Sequence, residues 1–386
     1  MKRTGNRRMA QLGPSEIRAM TQACVNAKGV NMAQGVCDTP VPLPVLEGAK
    51  RAMDQGFNTY TRFDGLAELR QALAKKLVRY NGIQADPERH ITVSVGATGS
   101  FHCACAALLN PGDEVILFEP YYQYHATALK SVDTVPVPVR MQPPDWTFSL
   151  PEVERAVTGR TRAIVVNSPG NPSGKVFSRA ELEGIAAIAT RHDLFVFTDE
   201  IYEYVLYDGR QHVSLATLPD MAERTITIGG YSKTFSITGW RIGYSVAAER
   251  WAHLIGAMND LLYVCAPAPL QMGVAAGINE LPDSFYQEMA REYQRKRDRF
   301  CEVLLRAGLT PAIPQGAYYV LADASRLPGN TGKARAMALL EMAGVAAVPG
   351  EAFFSGPEGA QFVRFSYAKT ESDFDEACRR VGRLHL

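Results

Sequence analysis

The chain has 386 residues, 46% apolar and 21% charged, which is enough for two domains of ordinary size and is the composition of a globular protein. Its 41 basic and 40 acidic side chains nearly cancel, which leaves no electrostatic argument for nucleic acid or a membrane surface as a partner. No apolar run approaches the ~20 residues that span a bilayer, the N-terminus lacks the apolar region of a secretory signal, and residues 1–8 read as a basic, solvated tail. The seven cysteines are scattered without metal-type or redox-type spacing, so the expectation is a cytoplasmic protein with reduced thiols and no bound metal.

Taken in chain order, the first strong signal is a strand at Ile91–Val95, followed by a Gly-containing turn and an Ala-rich helix at 100–109. Short runs rich in Val, Ile, Phe or Thr follow at Glu114–Glu119, 162–167, 194–198 and 224–229, with an amphipathic helix at 179–192 between the second and third of them. Residues 241–246 read as one further strand, able to run antiparallel. Apolar strands interleaved with helices predict an α/β fold with a mostly parallel sheet covered on both faces. After about residue 275 the pattern becomes α+β: a long charged helix at 283–307, strands at 317–322 and 362–367, a helix at 333–343 and a terminal helix. The Pro- and Gly-rich stretches 40–44 and 266–269 read as crossings between domains. In open α/β sheets ligands bind beyond the carboxyl ends of the strands, which selects the loops 96–98, 120–122, 167–174, 199–202 and 230–233.

A lysine at a strand end is ordinarily a surface residue, but Lys233 stands between Ser232 and Thr234 and is followed by Thr238-Gly239-Trp240-Arg241. From Ser232 to Tyr244 the chain reads Ser-Lys-Thr-Phe-Ser-Ile-Thr-Gly-Trp-Arg-Ile-Gly-Tyr. This segment resembles the lysine segment of class I/II aminotransferases, in the fold-type I superfamily of pyridoxal 5′-phosphate (PLP) enzymes. The resemblance implies a seven-stranded-type sheet in a large PLP-binding domain, a smaller α+β domain, and Lys233 as the Schiff-base lysine and proton shuttle. It also implies that Arg241 pairs with the cofactor phosphate, which a guanidinium suits by offering two parallel donors.

Other segments carry the resemblance in family order. Gly96-Ala97-Thr98 between a strand and a helix is, alone, a tight connection; in the family this turn cradles the phosphate on a helix N-terminus. Asn167 to Gly174 favours turns by composition, and its Asn-Pro-Ser-Gly resembles the family motif in which Asn171 donates to the cofactor's phenolate oxygen. An acidic residue at a strand end is often a helix cap, yet Asp199-Glu200-Ile201-Tyr202 resembles the motif that sets an aspartate against the pyridine nitrogen. Asp199 takes that role, and Tyr202 donates to the same phenolate as Asn171. By the same resemblance Tyr122 stacks on the cofactor ring, Ser232 adds a hydroxyl, and Arg364, in Phe362-Val363-Arg364-Phe365-Ser366, grips the substrate α-carboxylate. An arginine in an apolar strand is costly unless paired, which agrees. Gly35 would offer its N–H to that carboxylate. Tyr60 would reach the phosphate of the neighbouring subunit, making a homodimer with shared active sites.

The boundaries expected from this reading are an N-terminal arm at 1–30, a large domain at 45–275, and a small domain from 31–44 and 276–386. The expected reaction is ping-pong transfer of an amino group from an L-amino acid to a 2-oxo acid. A PLP-dependent carbon–sulfur β-lyase shares every motif named above and stays as the alternative. A ligand-sensing domain of a transcription regulator fits less well, with about 30 residues before the resemblance. A nicotinamide dehydrogenase lacks its Gly-x-Gly-x-x-Gly. The family often has serine where Gly230 stands, and one aspartate-using subgroup has lysine where Thr98 stands. Arg18 and Arg62 are candidates for a distal carboxylate, although each is ordinarily a surface residue. Aspartate, aromatic amino acids, alanine and kynurenine all stay open as donors.

Overall fold

The computed structural model describes residues 5, 6, 8 and 15–386. Much of the expected basic tail and the start of the expected arm, residues 1–4, 7 and 9–14, therefore lie outside the described residues. The chain begins with helix α1 (Glu16–Asn26), strand β1 (Val30–Asn31), α2 (Leu43–Asp54) and α3 (Ala67–Lys76), whose end widens into a π-type turn over Leu77–Asn81. α2 carries a proline in its first turn, where a missing N–H costs nothing, so the proline-rich stretch 40–44 leads straight into a helix.

The alternating part follows as β2 (Ile91–Val95), α4 (Gly96–Leu108), β3 (Glu114–Glu119), α5 (Gln123–Ser131), β4 (Val135–Arg140), α6 (Leu150–Arg155), β5 (Thr161–Asn167), α7 (Arg179–Arg191), β6 (Phe195–Asp199), β7 (Thr225–Gly230) and β8 (Ile242–Val246). β2 to β8 form one seven-stranded sheet in the order β2-β8-β7-β6-β5-β3-β4. The pairs from β7 through β6, β5 and β3 to β4 are parallel, whereas β8 runs antiparallel to both β7 and β2. Side chains alternate between two cores. Ile116, Ile164, Val166 and Val196 pack on one face, and Val115, Leu117, Val165, Phe197, Ile226 and Ile228 on the other. This is why the strands read as continuous apolar runs.

Two details differ from the sequence reading. β4 was not expected, because Pro136 and Pro138 argue against a strand; it lies at the sheet edge, paired only with β3, where missing N–H groups are tolerated. α4 starts at Gly96 rather than after the turn: Gly96 has φ +74°, which lets strand and helix meet without a linker.

The rest of the chain is α8 (Glu249–Tyr263), α9 (Ala268–Glu280), α10 (Asp283–Arg306), β9 (Thr310–Pro311), β10 (Tyr319–Asp323), α11 (Gly332–Ala343), β11 (Val345–Ala346), β12 (Val348–Pro349), β13 (Phe362–Ser366) and α12 (Glu371–Val381). β12-β13-β10-β9 form a four-stranded antiparallel sheet, and β1 returns to pair with β11. Among the described residues no helix is long and apolar enough to cross a membrane.

Candidate active site

A cavity of about 340 Å³ opens where β2, β3, β5, β6 and β7 end, and Ala97, Thr98, Tyr122, Asn171, Asp199, Tyr202, Ser232, Lys233 and Arg241 line it. Nine side chains expected from scattered segments thus meet in one place, because eight follow or end strands at the carboxyl edge of the same sheet and Arg241 precedes the antiparallel β8, whose amino end lies at that edge.

One end of the cavity is cationic. The first turn of α4 has no side-chain cap and no acidic residue, so its N–H groups and positive dipole end face the cavity uncompensated. Arg241 lies against Gly96, and a Cβ there would collide with its guanidinium. The one hydrogen bond Arg241 makes among the described residues runs from Nη1 to the Thr238 carbonyl, 2.9 Å. Gly243 is equally constrained, since a Cβ would strike the backbone of Gly96 and Ala97. Gly230, the departure from the family pattern, pairs with Gly243, and a Cβ there would come within 3.1–3.2 Å of the Ile242 carbonyl, Gly243 Cα and Ile201 Cδ1. Besides Arg241, the polar groups at this end are the Ser232 and Thr98 hydroxyls and the α4 N–H groups.

The Lys233 amine donates to the Gly35 carbonyl at 2.8 Å. Asp199 ends β6; its Oδ1 accepts from the Ile201 N–H at 3.2 Å, and its Oδ2 lies 2.9 Å from His125 Nε2. His125, buried between the edge of Tyr122 and the ring of Phe101, was not expected from the sequence. Its signal was the i,i+3 spacing from Tyr122, which sets the two on one helical face. Tyr202 Oη lies 2.9 Å from Tyr319 Oη. Burial, reinforced by Tyr319, pushes the Tyr202 pKa well up and keeps it a neutral donor.

Arg364 does not line the cavity itself but touches a residue that does: Nη1 donates to Asn171 Oδ1 at 3.0 Å, and Nη2 to the Ala33 carbonyl. Its side chain is 1% exposed, Nε has no partner, and no carboxylate pairs with it among the described residues. Burial lowers its pKa, while it lies over the rings of Tyr319 (4.5 Å) and Phe353 (5.1 Å). Tyr319, also missed by sequence reasoning, fixes Gly35 as glycine, because the phenol occupies the place of a Cβ. Nothing in the sequence pairs positions 35 and 319; only the fold does.

Besides Arg364, the expected residues Gly96, Gly35 and Tyr60 do not line the cavity, although Gly96 touches Arg241. Gly35 meets it through the Lys233 contact, and Tyr60 is 81% exposed. Of the arginines considered for a distal carboxylate, Arg18 lines the cavity, whereas Arg62 is tied to Asp64 and Glu88, each at 2.6 Å.

A doubly covered α/β sheet gathers an amine, a carboxylate and the Arg241 guanidinium around one cavity, with the buried Arg364 guanidinium one contact away, which is the layout of an enzyme active site. The chain belongs to the family "Aminotransferase class I and II", whose model matches residues 27–381. It is 37% identical to an aspartate aminotransferase of Pyrococcus abyssi over 98% of this chain and 97% of that protein. It is 35% identical to kynurenine–oxoglutarate transaminase 3 of Mus musculus over 92% of this chain and 85% of that one. The solved structure of N-succinyldiaminopimelate aminotransferase from Mycobacterium tuberculosis superposes with a TM-score of 0.95 at 34% identity, covering 99% of this chain and 100% of that one. The fold is fold type I, the reaction is transamination, and the carbon–sulfur lyase alternative finds no support among these relatives.

Proposed function

We propose that the cavity holds pyridoxal 5′-phosphate and that the chain moves the amino group of an L-amino acid to a 2-oxo acid in two half-reactions at one site. The observation that carries the reading is Arg364, a fully buried guanidinium with an orphan Nε and no carboxylate partner among the described residues. Such a group is costly unless a ligand anion completes it, and a substrate α-carboxylate matches its fork.

The donor set fits the cofactor: a cationic end with an open helix N-terminus for a phosphate, an amine for an aldehyde, and a carboxylate for a ring nitrogen. When bound, the cofactor supplies an aldehyde that takes up the amino group and a protonated ring that accepts the electron pair released at the substrate Cα. Arg241, the backbone of Gly96 and Ala97, and the hydroxyls of Thr98 and Ser232 would hold the phosphate. Lys233 would anchor the aldehyde carbon and, once released as a free amine, carry the proton away from the substrate Cα. Asp199, oriented by His125, would keep the ring nitrogen protonated; Tyr202 and Asn171 would hold the ring oxygen, and Tyr122 the ring face. Arg364, Asn171 and the Gly35 N–H would fix the carboxylate. Lys233→Ala is expected to abolish transamination in a coupled assay; substantial remaining turnover sinks the assignment.

Several further readings rest on the same frame. Leu261, Leu262, Tyr263 and Val264 at the end of α8 are exposed together, Leu261 to 77%, and Tyr263 lies against Gly99 of α4. This apolar run beside the phosphate end supports a homodimer in which Tyr60 of each chain reaches the other's cofactor. The seven-stranded and four-stranded sheets support a large domain at 45–275 and a small one at 31–44 and 276–386, after an arm at 1–30. Seven free thiols support a cytoplasmic location. The relatives are named for aspartate, kynurenine and N-succinyldiaminopimelate, so donor choice lies outside the shared machinery; Arg18 supports a substrate with a second carboxylate.

A further inference from the structure

Asp199 and Tyr202 line the cavity, but Glu200 and Glu203, in the same turn, do not. Both are buried in a separate polar network. Glu200 Oε2 accepts from Ser214 Oγ at 2.6 Å and lies 2.7 Å from His212 Nε2. Glu203 pairs with Lys76 of α3 and accepts from Asn81 Nδ2 at 2.8 Å, while Tyr80 donates to its carbonyl at 2.7 Å. Asn81 also reaches Glu200 (3.3 Å) and Ser214 (3.0 Å), so one amide joins both halves. Glu200, Glu203 and His212 offer atoms within 4.8 Å of one another, as a metal site would, yet the Lys76 ammonium already supplies the cation.

The charge count decides the behaviour. With His212 protonated, two carboxylates face two cations and the network is neutral; without that proton one negative charge is buried and uncompensated. The groups facing His212 are Glu200, Ser214 and the stacked ring of Tyr80 (6.3 Å), with Glu203 and Lys76 beyond. Tyr204 and Tyr244 complete the walls around Lys76, and burial keeps both phenols neutral. Burial works against the imidazolium, but Glu200 outweighs it and the His212 pKa is raised; burial likewise opposes the Glu200 carboxylate, but His212 outweighs it and the Glu200 pKa is lowered.

We propose that Glu200, Glu203, Lys76 and His212 form a positioning device that anchors the Asp199–Tyr202 turn from behind, and that loss of the His212 proton loosens this turn on the alkaline side. The proposal rests on the roles given above to Asp199 and Tyr202. The sign follows from the raised pKa: the stabilisation is complete below the ordinary imidazole value of about 6.5 and is lost as pH rises through the folded-state pKa.

The test compares holoenzyme of the wild type and His212→Gln, which keeps a neutral donor but cannot titrate. Melting temperature, the visible cofactor absorption, kcat and KM are followed from neutral to alkaline pH. The wild type is expected to lose melting temperature and kcat in one alkaline transition. His212→Gln is expected to lack that transition and to show, already at neutral pH, a shifted cofactor band and kcat down about tenfold with KM little changed. An identical alkaline transition in both proteins overturns the proposal. So does a variant that melts lower yet keeps the wild-type cofactor band and pH profile, since that marks a purely structural role. If His212→Gln does not fold, Glu200→Gln serves: it must move the transition to lower pH, and an unmoved transition overturns the idea. The melting curves need no turnover, so they read the network even if the roles of Asp199 and Tyr202 fail.

Discussion

Arg364 is the residue at which sequence and structure speak most directly to each other. A charged side chain in Phe362-Val363-Arg364-Phe365-Ser366 is legible as costly, and the fold keeps it costly by offering a carbonyl, an amide oxygen and two aromatic faces but no anion. Arg364→Lys keeps the charge and removes the fork. We expect kcat/KM for amino donors and 2-oxo acceptors alike to fall about 100-fold, mainly through KM, with the protein still folded. A steady-state comparison over several donors checks this; a loss confined to one donor would assign Arg364 to side-chain selection instead. His125 and Tyr319 were not legible, for one physical reason. Each acts through a contact with a residue far away in sequence, Asp199 for His125 and both Gly35 and Tyr202 for Tyr319, which the spacing of His125 from Tyr122 does not reveal and nothing at position 319 marks.

At the scale of elements, hydrophobic runs and caps told most of the story. The strand candidates at 114–119, 162–167, 194–198, 224–229 and 241–246 all lie in the central sheet, and β8 proves antiparallel as its position allowed. α7 was legible from its amphipathic pattern, and the structure adds a reciprocal capping box between Ser178 and Glu181 ahead of the apolar face. Ser178→Ala is expected to cost about 1 kcal/mol in denaturant unfolding while leaving kcat and KM unchanged, because no residue of α7 lines the cavity. A change in activity would show that α7 sets the site as well as the fold. β4 was hidden because two prolines speak against a strand, and only the sheet order reveals that one side of it needs no partner.

For the molecule as a whole, the sequence could suggest a shared active site but not show where a second copy would sit. Tyr60 and the 261–264 run share one property, exposure of large apolar groups, and the latter adjoins α4. On the proposed homodimer, Leu261→Asp is expected to give monomers in sedimentation velocity and to remove most activity with it. A variant that stays dimeric and fully active would place the interface elsewhere.

The bonds around Arg364 join segments far apart along the chain: Ala33 lies 331 residues away from it and Asn171 lies 193 away. On the role proposed for Arg364, a carboxylate seated on the guanidinium would act as a staple across the molecule, holding the native state against opening in proportion to its occupancy. Since proteases attack the opened form, a bound carboxylate is then expected to slow proteolysis of the purified protein.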